Sequence, residues 1–225
     1  VDPEVSRAIR DEFTKSTAAL SKLLPFEGRI EEREIENPTG ALPVRIYTPA
    51  GGGPFPILVY FHGGGFVVGS PDYTEAVTRG VAAQGPAIVV SVDYRMAPEN
   101  PFPAAVDDAY LAVQWCYENA ESLGGVRGPV AVGGDSAGGN LAAVVSLLDA
   151  QEGSGRIGLQ ALIYPTVDIT RSDRSSHVAF KSGFGLSMRD VEACMDRYVP
   201  TDTARSDPRL SPLCADSLAE LPRAV

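Results

Sequence analysis

Histidine, cysteine, tryptophan and basic residues are all in short supply in this chain. The 225 residues hold two histidines, His62 and His177, so imidazole chemistry has few candidates. The three cysteines, Cys116, Cys194 and Cys214, are odd in number and no two lie at metal-ligand spacing, which excludes a disulfide framework and a zinc site. Cys116, beside Trp115 in an apolar helical stretch, reads as core. Unpaired thiols fit a reducing cytoplasm. Lys and Arg number 19 against 29 Asp and Glu, a net charge of −10. That balance argues against a nucleic-acid partner and an anionic membrane surface, and serves solubility. There is no apolar run of about 20 residues to span a bilayer. No charged-then-apolar leader opens the chain, so no signal peptide is expected. The first residue is Val1, as in a processed protein or a part of a longer one.

What is present, 44% hydrophobic residues over 225, suffices for one globular domain with a real core. Residues 2 to 20 predict a helix, with Asp2 as cap, Pro3 in its first turn and Val5, Ala8, Ile9, Phe13 and Leu20 at roughly helical spacing. Arg29 to Glu36 and Val44 to Thr48 alternate polar and apolar, the mark of half-buried strands. Ile57 to Phe61 is continuously apolar, as a strand buried on both faces requires. Helices over 73–84, 104–122 and 137–151 then alternate with strands over 87–92, 130–132 and 159–164, which predicts a mainly parallel sheet with helices on both faces. Ligands of such sheets bind beyond the carboxyl ends of the strands. Residues 168 to 185 are polar, Met188 to Tyr198 reads as a short helix capped by Ser187, and 206 to 222 reads as loop. Leu221 to Val225 resembles the start of another buried strand, so the sixth strand is expected to be an exposed sheet edge.

Three blocks carry chemistry. The first, Gly133-Gly134-Asp135-Ser136-Ala137-Gly138-Gly139, holds a G-x-S-x-G elbow between a strand and a helix. A serine on that strained turn projects its oxygen into a site, glycines let the backbone pack closely, and the free N–H groups of the following helix favour negative charge. Ser136 is therefore the candidate nucleophile.

The second block is His62-Gly63-Gly64-Gly65 after the third strand. A triglycine loop can offer backbone N–H groups to a tetrahedral oxyanion, together with that of Ala137. A phosphate cradle is the rival reading, but the G-x-G-x-x-G spacing and a P-loop lysine are absent. His62 belongs to this loop and is expected to hold it by hydrogen bonding rather than act as base. His177 is expected in a solvated or lid position. The third block, Asp93 to Glu99 followed by Pro101 to Asp108, is a proline-fixed loop in which Arg95 has carboxylates to pair with. Its expected role is structural, with support around the nucleophile as the alternative.

HGGG at 62–65, DYRMAPENPFPAAVDDA at 93–109, GDSAGG at 134–139 and LIYP at 162–165 together resemble the hormone-sensitive-lipase family of α/β hydrolases, the bacterial family IV esterases. The resemblance runs from about residue 30 to the end. It implies an α/β-hydrolase fold with residues 1–28 as an N-terminal cap helix, 29–225 as core and a cap insertion at about 170–200. It implies Ser136 as nucleophile and an oxyanion hole of Gly63, Gly64, Gly65 and Ala137, in which Gly63 shapes the loop, the other three donate and His62 supports. It implies hydrolysis of short- to medium-chain carboxylic esters through an acyl-enzyme, with no cofactor, and a homodimer formed through the last strand and helix; the cysteines give the cytoplasmic setting and the absence of a metal.

The family's order is Ser, then Asp or Glu, then His. Asp168 and Asp190 follow Ser136, but neither ends a matching seventh strand. The acid and the histidine are thus expected beyond Val225, and the last two strands with them. Residues 1–225 alone are expected to be nearly inactive. A pseudo-hydrolase that binds a small apolar ligand without turnover is the competing function, and an amidase or deacetylase a third.

Overall fold

Val59, Val90 and Val132 sit at the centre of three adjacent strands and are fully buried. Continuous apolar runs such as Ile57–Phe61 and Ile88–Val92 form strands covered on both faces, because only there are all successive side chains out of water. The computed structural model describes residues 8, 10–12, 15, 25–171, 173–183 and 185–225. The helix expected over residues 2–20 lies largely outside the described residues; Ala8, Arg10 to Glu12 and Lys15 are helical.

Among the described residues, seven strands form one sheet: β1 (Arg29–Ile35), β2 (Leu42–Thr48), β3 (Ile57–Phe61), β4 (Ile88–Val92), β5 (Val130–Asp135), β6 (Ile157–Ile163) and β7 (Arg223–Ala224). Their order is β1-β2-β4-β3-β5-β6-β7. β1 and β2 pair antiparallel, as do β2 and β4; every later pair is parallel. The helices are α1 (Glu75–Gln84), α2 (Ala104–Glu118), α3 (Ala137–Glu152), α4 (Ser175–Ala179) and α5 (Met188–Tyr198). Alternation along β3 splits the core: Ile57, Val59 and Phe61 pack with residues of α2 and α3, whereas Tyr60 and Leu58 pack with Ala82 and Val81 of α1.

The expected elements form, with shifted ends. β5 runs to Asp135 rather than Val132, because Gly133 and Gly134 continue the pairing with Ala161 and Leu162 of β6. Glycine is a poor strand former, but a Cβ at Gly134 would overlap the Phe61 carbonyl of neighbouring β3. α2 stops at Glu118 rather than Ser122, where both the N–H and the side-chain amide of Asn119 turn back to the Trp115 carbonyl at 2.9 Å. Two short elements have no signature in the polar sequence, α4 and the 3₁₀ turn Pro212–Cys214. The bare edge expected at β6 is corrected: β7 pairs parallel to it, Leu159 with Arg223 and Gln160 with Ala224. Gln160 adds a side-chain bond to the Pro222 carbonyl at 2.9 Å.

Strand order positions the site. From β3 the chain crosses to β4 on one side, and from β5 to β6 on the other, so the connections diverge between β3 and β5. Crevices for ligands open at such a divergence, beyond the carboxyl ends. The register pairs Phe61 with Gly134, so His62 and Asp135 leave the sheet side by side.

Candidate active site

Ser136 sits between the end of β5 and the first turn of α3 with φ 53 and ψ −113. A side chain at this positive φ is strained, and it persists only where neighbours over-determine it. Here they do: the Ser136 N–H donates to the Ile163 carbonyl at 3.0 Å, and its own carbonyl accepts from Asn140 at 3.0 Å and Thr166 at 3.1 Å. A Cβ at Gly138 would overlap the carbonyls of Phe61 and His62, so α3 meets β3 backbone to backbone. This apposition brings the two sequence motifs together.

The loop after β3 is a left-handed turn. Gly64, Gly65 and Phe66 have φ of 122, 61 and 64. The Gly64 carbonyl accepts from Val67 at 3.1 Å and Val68 at 3.0 Å. Turns of this kind can gather successive N–H groups into an anion-binding concavity. The Gly63 N–H is used otherwise: it donates to Asp135 Oδ1 at 3.1 Å. That oxygen also accepts from the Tyr60 hydroxyl at 2.9 Å. Gly63 thus anchors the loop. Among the described residues, the N–H groups of Gly64, Gly65 and Ala137 donate to no protein acceptor.

His62 is fully buried and stacks on Tyr94, centroids 4.2 Å apart. Its Nδ1 lies 2.8 Å from the Gly63 carbonyl, an acceptor only, so Nδ1 carries the proton. The Tyr94 hydroxyl donates to the His62 carbonyl at 2.7 Å. Burial pushes the imidazole down to about 4, so it stays neutral at pH 7. Asp135 is buried as well; burial raises its carboxyl, and the bonds from Tyr60 and Gly63 oppose that rise.

The third block is mostly scaffold. Arg95 forks onto the fully buried Asp108, with Nη2 to Oδ1 at 2.8 Å and Nε to Oδ2 at 2.9 Å. Asn37 adds a bond to Asp108 Oδ1 at 2.9 Å. Tyr94 belongs to this same block and supports the loop, as does the Ala97 N–H, which donates to the Phe66 carbonyl at 2.9 Å.

α5 forms a wall over the loop. Ser187 caps it in a reciprocal box with Asp190, the cap that the sequence predicts. From this helix Tyr198 stacks on Phe66, centroids 3.9 Å apart, and a Cβ at Gly65 would lie 2.7 Å from Cys194 Sγ. A cavity of 470 Å³ opens beside it, lined among others by Thr166, Ile169, Phe180, Leu186, Val191 and Met195. Thr166 also bonds the backbone of Ser136, so the cavity adjoins the elbow. His177 lines this cavity, and Asp168 is engaged locally with Thr170 and Arg174.

Sequence reasoning missed Tyr60, Tyr94, Asp135 and Tyr198 as parts of this assembly. Asp135 had one signal, a carboxylate at a position the elbow buries. Tyr60 had none, because it reads as one more apolar residue of β3.

A model of the alpha/beta hydrolase fold matches residues 58–225. The carboxylic ester hydrolase LipN of Mycobacterium tuberculosis is 45% identical over 230 residues, covering 97% of this chain and 61% of LipN. The carboxylesterase NlhH of the same species is 47% identical over 147 residues, 64% of this chain and 46% of NlhH. The chain therefore spans less than two thirds of the length of these two relatives. The structure of a hyperthermophilic esterase from Pyrobaculum calidifontis superposes with a TM-score of 0.92 at 39% identity, covering 97% of this chain and 72% of that one. The chain belongs to the α/β-hydrolase fold family, and within it to the hormone-sensitive-lipase group of esterases.

Proposed function

We propose that the protein is a serine carboxylester hydrolase acting on short- to medium-chain esters. The observation that carries this reading is one juxtaposition: a strained serine beside a loop whose Gly64 and Gly65 N–H groups, with that of Ala137, have no protein acceptor among the described residues. Ser136 Oγ attacks the ester carbonyl, its proton passes to a base, and the three N–H groups receive the oxyanion. Collapse expels the alcohol and leaves an acyl-serine. Water attacks that ester, again with base assistance, and releases the acid and free Ser136.

In this reading the base is neither histidine of residues 1–225. His62 is spent on the Gly63 carbonyl and walled in by Tyr94, and His177 stands in the cavity wall. The acid and imidazole come from sequence outside these residues, in keeping with the share of LipN that the chain spans. The apolar lining of the 470 Å³ cavity suits an acyl or alcohol group, since ligand pockets commonly fall within about 300–1,000 Å³. A cytoplasmic setting and dimerisation belong to the same proposal.

Hydrolysis of p-nitrophenyl butyrate by the complete gene product, with Ser136→Ala as control, tests it. Turnover lost in Ser136→Ala, and fluorophosphonate labelling of Ser136, are expected. Ligand binding without turnover would instead establish the pseudo-hydrolase. Residues 1–225 alone should be nearly inactive; full activity there would make His62 or His177 the base.

A further inference from the structure

The turn that presents Gly64 and Gly65 is held partly from the beginning of the chain. Arg10 Nε donates to the Val67 carbonyl at 2.7 Å, and its Nη2 donates to the Ala97 carbonyl at 2.9 Å. The same guanidinium forks onto Glu99, Nη1 to Oε1 at 3.1 Å and Nη2 to Oε2 at 2.7 Å. The Ala97 N–H in turn donates to the Phe66 carbonyl at 2.9 Å. One planar group thus ties the oxyanion turn to the 93–99 loop. The Arg10 side chain is 21% exposed, so water competes weakly for these carbonyls.

Such a clamp is needed because the turn is costly. Gly64, Gly65 and Phe66 all have positive φ, and Phe66 has a side chain that disfavours it. Strained turns relax unless the structure around them supplies fixed partners. The Val67 carbonyl has Arg10 as that partner. Nothing in the sequence marks Arg10, which lies 57 residues before Val67 and 87 before Ala97.

We propose that Arg10 is a positioning residue for ester hydrolysis. By bridging the Val67 and Ala97 carbonyls it keeps the Gly64 and Gly65 N–H groups aimed at the oxyanion, so Arg10 contributes to rate without touching the substrate. The inference rests on the esterase reading above.

The test compares Arg10→Ala, Arg10→Lys and Glu99→Gln in the complete gene product. Steady-state kinetics with p-nitrophenyl butyrate and amide hydrogen exchange over residues 63–68 are the readouts. Arg10→Ala should lower kcat about 10- to 100-fold with KM nearly unchanged, because a displaced donor acts on the transition state. Exchange in 63–68 should quicken while β5 keeps its protection. Arg10→Lys should recover only part, since an ammonium lacks the planar fork. Glu99→Gln leaves both carbonyl bonds and should stay within about threefold of the parent.

Unchanged kcat and exchange in Arg10→Ala would overturn the proposal. So would a rise in KM alone, or faster exchange spread evenly over the sheet. If Arg10→Ala does not fold, full kcat in Arg10→Lys overturns it. Should the parent hydrolyse no ester, the esterase reading fails by itself, while the exchange data still decide whether Arg10 fixes the turn.

Discussion

Where β3 and β5 end, Tyr60, His62, Tyr94 and Asp135 are buried and bonded to backbone or to one another. Across the cavity, the described residues of 171–186 are mostly exposed, with Phe180 at 58% and Leu186 at 61%. The ion pair of Arg171 with Asp173 faces water and adds little stability. The first region is held by connected buried hydrogen bonds, as charge stabilisation demands. The second offers exposed apolar surface, as a wall that selects substrates can. In the proposed mechanism, chemistry and selection fall to regions that differ in packing, and they should respond differently to mutation.

The largest expected effect breaks the packed side outright. Gly138→Ala puts a methyl group into the carbonyls of Phe61 and His62, which are backbone and cannot swing aside. A loss of about 3 kcal/mol or more in stability, with activity abolished, is expected from denaturant unfolding. A folded and active Gly138→Ala protein would mean that α3 and β3 are less tightly apposed. Next comes Asp135→Ala, which strips the Tyr60 hydroxyl and the Gly63 N–H of their shared acceptor. It should lower kcat about 100-fold if the oxyanion turn depends on that anchor. Asp135→Asn, which keeps an acceptor oxygen, should fall between. Equal stability and equal kcat in all three would sever the packed region from the chemistry.

Much of the packed region was legible in the sequence, for identifiable reasons. β3 and β4 announce themselves because central parallel strands need unbroken apolar runs. The elbow and the triglycine loop are legible because their glycines answer to close approaches that admit no Cβ. Their partners were not. Tyr60 and Asp135 are 75 residues apart, Gly63 and Asp135 72, and only the β3–β5 register unites them. Tyr94 lay inside a motif read chiefly as scaffold. α4, Ser175–Ala179, escaped because a five-residue polar helix shows no apolar periodicity.

A third prediction uses pH to sharpen the contrast. Burial holds His62 at about 4 against an ordinary 6.5, so the unfolded chain binds more protons between those values. Its contribution is complete above pH 6.5 and is lost as the pH falls towards 4. Asp93, which burial and nearby Asp72 push up to about 6, acts with the opposite slope. Comparing the parent with His62→Asn cancels Asp93 and every other shared group. The stability difference should shrink by about 3 kcal/mol across the His62 window, at about 1.36 kcal/mol per pH unit. A difference constant with pH would mean that His62 is not sealed from water.

The smallest effect should come from the exposed wall. Leu186 lines the cavity yet is 61% exposed, so truncating it removes little packing. Leu186→Ala should shift stability by less than about 0.5 kcal/mol. Its kcat/KM for p-nitrophenyl butyrate should hardly move, because a short acyl chain need not reach that wall. For the octanoate the same substitution should cost roughly fivefold, close to the worth of burying a single methylene group against apolar surface. The ratio of the two specificity constants is the decisive quantity, since it cancels active-enzyme concentration. An equal loss on both esters would show that Leu186 acts through the oxyanion turn after all. A large loss of stability would show that the wall is held as firmly as the elbow, and the contrast between the two regions would be void.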